Sequence, residues 1–133
     1  MPRPTLLVAE PEPSQALSVR KLVLETAKYN VLTAHSTREA LDLFHWFPNV
    51  SMAVLVGDEE IDCDAIAKHI RGATDKIPIV FLTARIGGKC NYADHSMPTG
   101  EPETLLNLVR SLLGDGRKQD VASASGRGPP SAS

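Results

Sequence analysis

The chain has 133 residues, 42% hydrophobic and 23% charged, the balance of one ordinary soluble domain with its own core. Fourteen Lys and Arg against sixteen Asp and Glu leave a formal charge of −2, which argues against nucleic acid as a partner, because phosphate binding rests on clustered basic residues. The longest apolar runs, at residues 6–9 and 79–82, are a few residues each, far short of a bilayer span, and no signal peptide is expected.

Short apolar runs alternate with longer amphipathic stretches, the pattern of a parallel sheet covered by helices. Residues 5–9 read as the first strand. Ser14 then caps a helix over 15–28, with Val19, Leu22, Val23 and Thr26 on one face. Residues 31–34 form the second strand. Ser36-Thr37-Arg38-Glu39 follows as a capping box. The helix it opens turns Ala40, Leu41 and Phe44 toward the core, with Trp46 and Phe47 at the core edge and Pro48 in the loop beyond.

Residues 52–56 are apolar throughout, as in a strand buried on both faces. An acidic loop over 57–62 leads to a helix over 64–71, with Gly72 as its C-terminal cap. The fourth strand spans 77–83, with Pro78 near its beginning. A last helix begins at Pro102, carries Leu105, Leu106, Val109, Leu112 and Leu113 inward, and stops at Gly114. Residues 1–114 make one domain, and 115–133, rich in Gly, Ser and Pro, read as a disordered tail or linker.

The stretch from Thr83 to Pro98 breaks the rhythm. A fifth strand at 92–96 leaves only residues 84–91 for the crossover, and Gly87-Gly88 weakens any helix there. The fourth crossover helix is therefore expected to be shortened or replaced by a loop. Cys63 and Cys90 lie far apart with no C-x-x-C spacing, so reduced thiols in a cytoplasmic protein are expected. Cys90, Asp94 and His95 match no structural zinc spacing, and no metal site is assigned to them. His35, His45 and His69 read as surface or half-buried packing residues.

Four segments, in order, resemble the receiver domain of response regulators, the CheY-like fold of two-component phosphorelay signalling. They are Leu6 to Pro13, Tyr29 to Ala34 with Arg38 to Leu41, Ile77 to Ala84, and Met97-Pro98. The resemblance covers residues 5–113 and implies an α/β, doubly wound, five-stranded parallel sheet in the order 2-1-3-4-5, shared with flavodoxin.

The family's chemistry needs two acids after the first strand to hold Mg²⁺ and an Asp ending the third strand to accept the phosphoryl group. It also needs a Thr or Ser ending the fourth strand and a Lys ending the fifth. Here Glu10 matches the first acid, Pro11 stands at the second, and Glu12 follows one place on. The acceptor position falls on Val56, or on Leu55 or Gly57 if the gap is placed differently. Thr83 matches, Met97 stands at the Lys position, and Asp94 at the position of the family's switch aromatic. Pro11 and Val56 offer Mg²⁺ no side-chain ligand. Met97 removes a charge-assisted contact of about 1.5–3 kcal/mol. The Mg²⁺ site is therefore expected to be lost.

The first reading is a pseudo-receiver: not an enzyme, without cofactor, acting by protein–protein contact independently of phosphorylation. Its partner, or a second copy, would use the face of the fourth and fifth strands with the helix over 102–113. The alternative is a phosphorylatable receiver with a displaced acceptor, Asp58, which strand alternation turns to the same face as Val56. Glu10, Glu12 and Asp58 would then gather at the carboxyl ends of the strands, with Mg²⁺ as cofactor. A flavodoxin-like cofactor binder is the third reading. It is disfavoured because Glu10-Pro11-Glu12-Pro13 repels phosphate where a cradle would be needed.

Overall fold

The computed structural model describes residues 4–11, 19–84 and 88–113. The expected tail, Glu12 and the first part of the first helix lie outside them. Five strands, β1 (Thr5–Ala9), β2 (Asn30–Ala34), β3 (Met52–Val56), β4 (Ile79–Thr83) and β5 (His95–Pro98), form one sheet in the order β2-β1-β3-β4-β5. Every pairing is parallel. Four helices accompany them: α1 (Val19–Thr26), α2 (Thr37–Trp46), α3 (Cys63–Ala73) and α4 (Pro102–Leu113). This is the doubly wound sheet in the expected order.

Strand alternation sorts the core into two layers. Leu7, Ala9, Ala53, Leu55, Ile79 and Phe81 pack with Ala40 and Phe44 of α2 and Ile66 and Ile70 of α3. Leu6, Val8, Val54, Val56, Val80 and Leu82 pack on the other face with Leu24 of α1 and Leu105 and Val109 of α4. All five residues of β3 are buried, because both layers cover it.

Local chemistry sets the element ends. Ser36 caps α2, its hydroxyl accepting from the Glu39 amide at 3.1 Å. The Glu39 carboxylate accepts from the amide of His35, one residue before the cap, at 2.7 Å. Asp62 caps α3 by accepting from the Ala65 amide. α1 ends at Thr26 because Lys28 adopts a left-handed φ of 76°, while the Tyr29 amide reaches back to the Leu24 carbonyl. α3 runs past its expected end, so Gly72 lies inside the helix and Thr74 is the C-cap. β4 starts two residues later than expected, because Pro78 has no amide to join the ladder.

Three expectations are corrected. β5 occupies His95–Pro98 rather than 92–96. Residues 91–92 are spent in a turn, and Asp94 ties itself to the start of β4: the Ile79 amide donates to the Asp94 carboxylate at 2.7 Å, and the Asp94 amide donates to the Ile79 carbonyl. Arg71 of α3 pairs with the same carboxylate and donates to the Ile77 carbonyl. Trp46 and Phe47 are exposed, at 72% and 50%. Two helical steps of about 100° carry Trp46 to the far side from the buried Phe44. Leu112 likewise lies at the surface, leaving Leu105 and Val109 as the anchors of α4.

The cysteines are also corrected. Cys63, the first residue of α3, and Cys90, in the β4–β5 segment, form a disulfide across 27 residues, with their Cα atoms 5.9 Å apart. Their sequence spacing carries no sign of this; the crossover brings them together. With no free thiol present, the thiol argument for a reducing compartment falls.

Candidate functional site

The carboxyl ends of β1, β3 and β4 are where the expected site residues converge, and they form two unlike halves. In the first half, the Glu10 amide extends the β1–β2 ladder by donating to the Ala34 carbonyl at 2.9 Å. Its side chain turns inward and is 2% exposed. The buried carboxylate is ion-paired with the Arg20 guanidinium of α1. The Glu10 carbonyl accepts from His35 Nδ1 at 3.1 Å. Arg20 was not foreseen as a site residue. The usable signal was its place in the first turns of a helix that had to pack beside the β1 loop.

The second half is open. A cavity of about 570 Å³ is lined by Gly57, Asp58, Glu59, Phe81, Thr83, Ala84, Gly88 and Lys89. Thr83, the last residue of β4, lies in its wall, and Asp58 lines the same cavity. Glu10 is absent from the lining, so the expected joint acidic pocket does not form among the described residues; Glu12 lies outside them. Asp58 does not continue the alternation of β3, which ends at Val56. Instead it forms a β-bridge with Ile61, and its carboxylate accepts from the Glu60 amide at 3.1 Å. The acidic loop is clasped from α2: the Thr37 hydroxyl donates to the Glu60 carbonyl at 3.2 Å and accepts from the Asp62 amide at 2.8 Å.

The substituted positions are filled by packing. Val56 is 5% exposed and packs in the α1/α4 layer. Gly57 offers no room for a side chain: a Cβ there would meet Phe81 Cε1 at 2.9 Å and Cζ at 3.0 Å. Met97 pairs with Leu82 in register and packs against the α4 layer. Asp94 stands opposite Ile79 and the Arg71 pair, four strand residues back from Thr83, or about 13 Å along the strand. Lys89, which sequence reasoning passed over, is one of the residues of the cavity wall. Only the crossover's path could have revealed it.

The resemblance implies a divalent cation beside the β1 acids, and among the described residues those at that position do not fit one. The Glu10 carboxylate already faces a guanidinium, Pro11 has no ligand atom, and Val56 is apolar. Among the described residues no cluster of three or more His, Cys, Asp or Glu could hold a metal ion. No described helix is long and apolar enough to cross a membrane.

The β4–β5 face differs from expectation as well. Ile79 and Phe81 are buried within the single chain, by Cys90 and Ala93 among others. On the same face of β5 stand Ser96 and Pro98, both exposed. The shortened crossover therefore leaves a polar edge in place of an uncovered apolar face.

No protein-family model matches this chain, and no curated protein matches it. Solved structures do. A response regulator receiver domain protein from Clostridium thermocellum superposes with a TM-score of 0.70 at 20% identity, over 89% of this chain and 98% of that one. The chemotaxis protein CheY4 of Vibrio cholerae gives 0.68 at 22% identity, over 84% and 99%. The response regulator protein TrrA of Thermotoga maritima, crystallised with Mg²⁺ and BeF, gives 0.67 at 25% identity, over 83% and 99%. The fold is CheY-like.

Proposed function

We propose that this chain is a receiver domain of two-component signalling that works by protein–protein contact, without phosphoryl transfer and without a catalytic step of its own. The Glu10–Arg20 pair carries the reading. It places a fixed internal cation against the carboxylate that would otherwise face Mg²⁺. Val56, Gly57 and Met97 support it, since each former chemical position is apolar or closed by packing. The partner, or a second copy, is proposed to meet the polar outer face of β5 together with α4, whose exposed side carries Glu103, Asn107 and Ser111. A cytoplasmic setting goes with this role and is part of the proposal.

A second reading is favoured by one observation: Asp58, Thr83 and Lys89 line one cavity. In that reading Asp58 accepts the phosphoryl group, and Lys89 stands in for the ammonium missing at Met97. Titration with Mg²⁺ and beryllofluoride, followed by amide shifts, separates the two. No shifts at Glu10, Val56, Asp58 and Thr83 are expected. Saturable shifts that vanish in Asp58→Asn would overturn the phosphorylation-independent reading.

A further inference from the structure

The segment that replaces the fourth crossover helix is held at its centre by a covalent bond. Cys90 is bridged to Cys63 at the start of α3. Beside the bridge, the Asp64 carboxylate accepts from the Asn91 amide at 2.7 Å and faces the Asn91 side-chain amide at 3.5 Å. Immediately before Cys90, Gly88 and Lys89 form part of the wall of the cavity that Asp58 and Glu59 also line. One bond therefore fixes the position of the cavity's cationic residue.

The rest of the domain does not depend on that bond. Two apolar layers cover the sheet from β1 to β4, and Leu24, Ile66, Ile70, Leu105 and Val109 are all essentially buried. A domain with such a core needs no staple to fold. Both cysteines are buried, at 7% and 8% residue exposure. Cys90 has exposed neighbours on both sides, Lys89 and Asn91. Reduced, Cys63 remains a small apolar residue able to stay in the core layer at the start of α3, while Cys90 is free to leave with its own segment.

We propose that the Cys63–Cys90 disulfide is a reversible covalent redox site, whose reduction releases residues 88–93 from α3 and removes Lys89 from the cavity wall. The reductant is a dithiol. Its first thiolate attacks one sulfur, forming a mixed disulfide while the Cys63–Cys90 bond breaks and the other cysteine leaves as thiolate. The second thiol of the reductant then displaces the first cysteine. In sum, two electrons and two protons pass to the cysteines, and the dithiol becomes a disulfide. The proposal stands apart from the signalling role, since it concerns how the cavity wall is held and not what occupies it.

The test is limited trypsin digestion of the whole chain, scoring cleavage after Lys89 by mass spectrometry, before and after treatment with dithiothreitol. Cleavage after Lys68 and Lys76, exposed residues of α3 and the following loop, serves as the internal control. With the segment released, cleavage after Lys89 should accelerate roughly tenfold or more while the controls stay constant, because proteolysis follows the population of the open form. Far-ultraviolet circular dichroism should be unchanged, and reoxidation should restore protection. The Cys63→Ser, Cys90→Ser double variant should behave as the reduced protein without any reductant. A bridge that resists excess dithiothreitol, an unchanged cleavage rate, or loss of the sheet on reduction would each overturn the proposal, the last by showing the bond to be a structural staple.

Discussion

The two halves of the sheet's carboxyl end treat their acids in opposite ways. At β1, Glu10 is buried and its charge is answered inside the protein by Arg20. At β3, Asp58 is exposed, held among the described residues by a local turn to the Glu60 amide, and lines a cavity with Lys89 in its wall. A buried carboxylate must be paired, while an exposed one is free to meet whatever enters. The difference between the two acids is that Glu10 is already answered by an internal cation, while Asp58 is exposed at the edge of a cavity.

The largest expected effect breaks the sealed half. Arg20→Ala leaves the Glu10 carboxylate buried without its cation and should cost about 3 kcal/mol in urea unfolding. The Glu10→Met, Arg20→Met double variant should recover most of that loss, since apolar replacement of a buried pair is often neutral. A loss below about 0.5 kcal/mol for Arg20→Ala, the level of an exposed pair, would show that the two halves are not different in kind.

Next comes the closed position between them. Gly57→Ala drives a methyl group into the Phe81 ring and should cost about 1–3 kcal/mol by overpacking, measured by thermal or urea unfolding. Gly72→Ala, the same chemical change, should instead stabilise by about 0.5–1 kcal/mol. Gly72 lies inside α3 with open space around it. Opposite signs would sharpen the case that Gly57 is closed by packing; equal signs would remove it.

The smallest effect belongs to the open half. Asp58→Asn should change stability by less than about 0.5 kcal/mol, because among the described residues the exposed carboxylate makes a single turn contact. A larger loss would mean that the acidic loop is a structural brace, on a par with Glu10.

Much of this fold was legible in the chain. The apolar runs at β1, β3 and β4 are buried on both faces, and such strands announce themselves without alternation. The cap at Ser36 was legible because its partners lie within four residues. What failed depended on residues distant in sequence. The Cys63–Cys90 bridge, Arg20 against Glu10, and Lys89 in the cavity wall are all set by where crossovers land. β5 was misplaced because its polar residues gave no run to follow, and because the Asp94 tie to Ile79 has no local signature. Trp46 was misjudged by residue type, where its angular distance from Phe44 would have given the better answer.

The Pro98 that ends β5 has a consequence for how this domain meets others. β5 forms one margin of the sheet, and a margin of unpaired amides invites a foreign strand to add itself. This one is four residues long and finishes on a residue with no amide to give, and the following Thr99 amide is already committed to the Thr83 carbonyl. Lateral growth of the sheet is thus weakened at the same edge proposed for contact. Recognition there falls more to side chains than to backbone pairing, which favours a separable and reversible contact.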